Sequence, residues 1–246
     1  MSSTPMEVQQ EPAGLSQIER VTNTFFAPSK TMADIRRSTS WWLPWLLISI
    51  FSLGLVVTWD KKIGFDNISQ VQISKSSRAD QFEKLPPDQK QKQMEMSVKF
   101  TKGFSYATPI LLLLFLAITA LALMAVVNFG LGGKFSFSTM MAIVAYSWLP
   151  GLISSVLCII VAFLADPEGY DIRKPLMSNP GYFIDTPKFL AGMLTMFDIF
   201  MIWSIYLMAI GVSENSKIKR GSAFAAIFGT YFVYKLITSG LGAAFS

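Results

Sequence analysis

Five long apolar runs punctuate this chain, over residues 41–59, 104–130, 137–165, 189–212 and 223–245, with polar stretches between them. A hydrocarbon core of roughly 30 Å takes about 20 helical residues to cross. In lipid every backbone donor and acceptor must be satisfied inside the segment, so each run predicts a helix. The pattern is that of an all-α polytopic membrane protein with five transmembrane helices.

Ahead of the first run the pattern changes. Residues 1–14 hold Ser, Pro, Gln and Glu and read as a disordered tail, which leaves 15–246 as one membrane domain. Leu15, Ile18, Val21, Thr22 and Phe25 follow helical spacing until Pro28 breaks the stretch. A second piece runs from Ser29 to Arg37, with Thr31 and Asp34 spaced as a capping box. Two short N-terminal helices are expected, lying in the membrane interface or packed on the spans. Trp41, Trp42, Trp45 and Trp59 bracket the first run, where indole rings favour the headgroup level. Pro44 falls in its first turn, where the missing N–H costs nothing.

The polar segment 60–103 is the largest between runs. Ile68, Val71 and Ile73 roughly alternate within 65–73 and predict a short strand. Asp88, after Pro86-Pro87, starts a helix whose modest stripe is Met94, Val98 and Thr101. The segment carries nine of the 21 basic residues, which reads as a solvated charged helix or a docking surface. Leu131-Gly132-Gly133-Lys134 is a tight turn, 166–187 a loop rich in Pro, Gly and Asp, and 213–222 a joint carrying Lys217, Lys219 and Arg220.

Composition sharpens this picture. The 246 residues are 52% hydrophobic and 15% charged, against about 25% charged in ordinary soluble domains. A net charge of +5 on so apolar a chain points to anionic headgroups, so membrane lipids are expected partners and nucleic acid is not. Cys158 is the lone cysteine, and histidine does not occur, which removes the commonest general base and metal ligand. No cleavable leader is expected, and Arg36-Arg37 reads as the charged flank of an anchored helix. Charge counting leaves the orientation open, since basic residues flank the runs on both sides.

Asp198 and Lys235 are the charged residues well inside apolar runs, where a charge costs at least about 2.5–3.5 kcal/mol. Asp198 lies 14 residues before Val212 and Lys235 lies 13 after Ser222. Antiparallel neighbouring helices would bring them to one depth, within reach of an ion pair. Thr195 precedes Asp198 by one turn, while Tyr231 and Thr238 flank Lys235 on its helix face. A pair that pins the hairpin, a snorkelling lysine, and an ion or substrate site are the three readings. Pro150, with Tyr146, Ser147 and Ser154 nearby, predicts a kink in the third run, the freed carbonyl being met by serines or water. The candidate binding residues are thus Asp198, Lys235, Thr195, Tyr231, Tyr146 and Pro150. Ala225-x-x-x-Gly229 and Ala226-x-x-x-Thr230 give the fifth run a small face for close helix approach. Serine-protease, paired-aspartate, zinc and phosphate-loop patterns are missing, so no enzyme, cofactor or metal site is expected.

Phe25-Phe26-Ala27-Pro28-Ser29-Lys30-Thr31 through Ile35-Arg36-Arg37, Gly132-Gly133 with Phe137, Ala145-Tyr146-Ser147-Trp148-Leu149-Pro150, and Asp198 through Trp203 with Gly211 occur in an order that resembles the Yip family, the Ypt/Rab-interacting-protein domain. The resemblance covers about residues 20–246 and is nearest to bacterial members. It implies five helices, a cytoplasmic N-terminus and a bacterial cytoplasmic membrane. The role expected of such a protein is a scaffold or partner subunit that organises membrane components or trafficking, contacting other membrane proteins or a second copy of itself. The Asp-Leu-Tyr-Gly-Pro stretch of the Rab-linked eukaryotic members does not occur, so a Rab-type GTPase is not an expected partner. The rival is a transporter or permease component using Asp198 and Lys235.

Overall fold

The computed structural model describes residues 14–168, 170–184 and 186–244. The tail expected over 1–14 lies outside them except for Gly14. Helices make up the structure, and there is no strand among the described residues.

The chain opens with α1 (Gln17–Phe26), started by a reciprocal capping box in which Ser16 accepts from Glu19 N and the Glu19 carboxylate accepts from Ser16 N. Pro28 then takes the first position of α2 (Pro28–Asp34), where it ends one helix and begins the next. The capping box expected from Thr31 and Asp34 is not formed, because α2 begins four residues too early for Thr31 to cap it. Instead the Thr31 hydroxyl donates to the Arg20 carbonyl.

The first apolar run forms α3 (Trp42–Thr58), extended by a π-helical turn to Ile63 and stopped by Gly64 at φ 85°. Then come α4 (Phe65–Ser74), α5 (Ala79–Glu83) and α6 (Pro87–Tyr106). The strand expected at 65–73 is therefore the helix α4. Phe65, Ile68 and Ser69 are its buried positions, a three-and-four spacing that outweighs the apparent alternation. The second run forms α7 (Thr108–Ala125) and a π-helical turn to Gly130. The following turn holds Gly132 at φ 69°, and the Asn128 amide brackets Phe135, accepting its N–H and donating to its carbonyl.

The third run is divided into α8 (Phe137–Ser147) and α9 (Pro150–Leu164). Pro150 opens α9, as the kink expected there requires. Leu149 N donates to the Tyr146 carbonyl, so backbone and not serine meets that group, and Ser147 Oγ has no hydrogen-bond partner. The fourth run is more deeply divided. It comprises α10 (Lys188–Leu194), a 3-10 turn to Phe197, and α11 (Ile199–Glu214), with a bend of 52° across Asp198. The last run is the single helix α12 (Arg220–Ala244).

Among the described residues, four helices are long and apolar enough to cross a membrane, and the bent pair supplies a fifth crossing if it is one span. This is an all-α polytopic membrane protein. Its middle is α8 against α11, where Met140 to Ser147 and Ser204 to Val212 are buried on nearly every face. Such all-round burial marks helices enclosed by others. Around them stand α3, α7, α9 and α12, with α1 and α2 packed on α8 and α11. Gly211 permits that packing, since a Cβ there would lie 2.5 Å from Ile143 Cγ2 and 3.1 Å from Met32 Sδ. Ile110, Phe129 and Leu164 are among the outward-facing apolar side chains, as lipid-solvated helices require.

Candidate functional site

The break in the fourth run is where the sequence-selected polar residues gather. Asp198 has extended backbone and stands immediately before α11. Its Oδ1 accepts from the backbone N–H groups of Phe200 and Met201, both at 3.0 Å. Its Oδ2 accepts from the Ser178 hydroxyl, and Ile199 N donates to the Ser178 carbonyl at 3.1 Å. A helix leaves its first four N–H groups without internal partners, and an aspartate at the cap is among the best residues to take them. The helix dipole adds a favourable field for the carboxylate there. Asp198 is thus the residue that lets a helix begin inside an apolar run.

Lys235 reaches the same break from α12. Its Nζ donates to Thr195 Oγ1 at 2.5 Å, and Thr195 in turn donates to the Gly192 carbonyl. No ion pair joins Lys235 to Asp198. The two charges share a neighbourhood, yet each is held by its own partners one helical turn apart. Tyr231 lies one turn from Lys235 along α12, within electrostatic reach of Asp198, and stacks on Tyr234 with ring centroids 6.2 Å apart. Close approach of α10 to α12 allows the arrangement: a Cβ on Gly192 would stand 2.6 Å from Ser239 Oγ.

Tyr146 and Pro150 belong elsewhere. Tyr146 is buried and donates its hydroxyl to Gln17 Oε1 at 2.9 Å, with the Arg20 guanidinium 6.0 Å from its ring centre. Pro150 is buried at the α8–α9 junction. The structure therefore brings Asp198, Thr195, Lys235 and Tyr231 together and leaves Tyr146 and Pro150 out of the group.

Tyr146 points instead to a second polar centre that the sequence pattern did not single out. Arg20 is fully buried. It donates from Nε to Asp34 Oδ2 at 2.6 Å, from Nη1 to the Ser38 carbonyl at 2.8 Å and from Nη2 to the Asp34 carbonyl at 3.0 Å. Arg37 holds the other Asp34 oxygen at 2.9 Å. Burial would raise the Asp34 carboxyl, but the Arg37 and Arg20 hydrogen bonds and charges outweigh it and hold the group below the ordinary carboxylate value. Nothing in the local sequence marked it: Arg20 lies off the apolar spacing of Leu15, Ile18, Val21, Thr22 and Phe25, and its partner Asp34 is 14 residues away.

Three cavities accompany these centres. One of about 640 Å³ lies between the turns 131–134 and 215–219, and one of about 560 Å³ lies beside the loop residues Tyr170, Asp171 and Lys174. A third, of about 330 Å³, is an apolar crevice between α7 and α12. Tyr231 lines this crevice, whereas neither Asp198 nor Lys235 lines any of the three.

The Yip1 domain model matches residues 22–241, nearly the whole chain, beginning within α1 two residues after Arg20. The chain belongs to the Yip1 family. Yip1 is not a known enzyme family. The Yip1 match runs through the N-terminal helices, the divided third run and the divided fourth run alike. No curated protein matches the chain, and no solved structure does.

Proposed function

We propose that this Yip1-family protein is a non-enzymatic scaffold or partner subunit that organises other membrane components, set in a bacterial cytoplasmic membrane with its N-terminus on the cytoplasmic side. The observation that carries this reading is the commitment of Asp198. Two backbone N–H groups and the Ser178 hydroxyl occupy its carboxylate, so the charge that a transporter reading would offer to a moving ion serves a fixed helix end. The Arg20–Asp34 centre supports the same reading by fastening α1 to α2, which packs on α11, with Ile18 and Phe26 facing outward at 75% and 85% exposure. Large apolar side chains held on a rigid outer face suit contact with lipid or with another membrane protein.

A transporter component is the second reading. It is favoured by the 52° break, because half-helix ends inside a span are a recurrent place for ion and substrate sites. Photo-crosslinking from Phe26 in native membranes, with flux measured in reconstituted vesicles, separates the two. The scaffold reading expects a defined crosslinked partner, retained in Asp198→Asn, and no protein-dependent flux. Ion or solute flux that Asp198→Asn abolishes would overturn it.

A further inference from the structure

We infer that the end of the bundle carrying the turns 131–134 and 215–219 holds one anionic phospholipid, its phosphate among Lys134, Lys217 and Lys219 and one acyl chain in the crevice between α7 and α12. This does not depend on the scaffold reading.

The polar half of the site is the 640 Å³ cavity, a volume in the range of small-ligand sites. Lys134 comes from the turn after α7, and Lys217 and Lys219 come from the turn before α12. Among the described residues, no acidic side chain lines the cavity. The carboxylate nearest in the chain, Glu214, pairs with Arg220 at 2.5 Å, and Asp34, at the end of the helix α2 that packs on α11, pairs with Arg20 and Arg37. None of the three lysines takes part in an ion pair among the described residues. Three uncompensated ammonium groups around one hollow attract an anion.

The position of the hollow identifies the source of that anion. Irregular backbone cannot face hydrocarbon, so turns that join consecutive apolar helices mark the level where the hydrocarbon ends. That is where lipid phosphates lie. Basic pockets between helices at this level select acidic headgroups.

The apolar half lies beneath, between the same two helices. The turn after α7 meets α12 at the end carrying the lysines, and further along the two helices part over a floor that includes Trp148 and Met208. The crevice runs from Leu123 and Ile227, about 10 Å below the turns, to Phe115 and Tyr234, about 21 Å below them. It is a slot parallel to the helices, beginning where an acyl chain leaves its headgroup.

The test is native mass spectrometry of the full-length protein in detergent, with equal amounts of phosphatidylglycerol and phosphatidylcholine. The wild type is expected to retain one phosphatidylglycerol in preference to phosphatidylcholine by at least about tenfold. Combined Lys134→Gln, Lys217→Gln and Lys219→Gln should abolish the preference. Lys84→Gln with Lys90→Gln and Lys92→Gln, just after α5 and in the first turns of α6, should leave it intact. Ala122→Phe, which fills the crevice, should lower retention of both lipids. Circular dichroism confirms that each variant keeps its helices. Equal retention of the two lipids by the wild type would overturn the proposal, as would loss of the preference in the control variant. Displacement of the lipid by millimolar glycerol phosphate would make this a site for soluble phosphate, and that too overturns the assignment.

Discussion

The Arg20 guanidinium, fully buried, is joined to the Asp34 carboxylate at 2.6 Å and thereby ties α1 to the end of α2. Removing one partner of such a pair strands the other charge without water. Asp34→Asn and Arg20→Met are each expected to lower stability by about 3–5 kcal/mol, read by thermal unfolding in detergent. Arg37, whose side chain is 53% exposed, holds the same carboxylate from the solvent side, and Arg37→Gln should leave the unfolding temperature nearly unchanged. Equal losses at Arg20 and Arg37 would contradict the assignment of the buried pair as the fastening.

The same centre gives the fold an acid-sensitive point, and Asp171 gives it a second. Burial opposes the charge on Asp171, but Arg173, through side chain and backbone, and Lys75 prevail and bring the carboxyl down to about 2. A depressed carboxylate stabilises the folded state fully above its ordinary value of 3.8, and that contribution is lost as pH falls toward 2. Lys75 stands just after α4 while Asp171 lies in the loop after α9, so their 3.1 Å contact pins that loop. Hydrogen exchange of residues 170–182, corrected for intrinsic rates, should rise between pH 4 and pH 2. Lys75→Gln should raise it already at pH 6. An unchanged loop in that variant would show that the contact does not pin it.

Gly211 is where α2, α8 and α11 come closest. Gly211→Val would drive a side chain into Ile143 and Met32, both fully buried, and overpacking of this kind costs about 1–3 kcal/mol. Relief by Ile143→Ala in the double variant is the check. Two independent losses that simply add would show that the contact is not the cause.

How far the sequence foretold this molecule follows from what each signal measures. Apolar length is a local property, so the runs were readable residue by residue, and so were the breaks at Pro28 and Pro150, since proline acts through its own ring. Alternation over a few residues is a weaker signal: Ile68 and Val71 are also one helical turn apart, and tertiary packing chose the helix. Burial of Arg20 depends on a partner 14 residues away and could not be read from its own surroundings. Asp198 and Lys235 were legible as costly charges, but the ion pair expected between them is not formed, and Lys235 meets Thr195 instead. What the spacing did not reveal is that an aspartate can be satisfied by the chain itself, by stopping one helix and starting another.

That point bears on everything built around the fourth run, and unfolding of two substitutions at one position decides it. Asparagine caps a helix about as well as aspartate, whereas alanine loses about 1 kcal/mol. If Asp198 serves as the cap of α11, Asp198→Asn keeps most of the wild-type stability, Asp198→Ala loses about that amount, and Lys235→Leu adds to Asp198→Asn within about 0.5 kcal/mol. If Asp198→Asn is as damaging as Asp198→Ala and its effect vanishes in the Lys235→Leu background, the two residues act as an ion pair, and the carboxylate is not what starts α11.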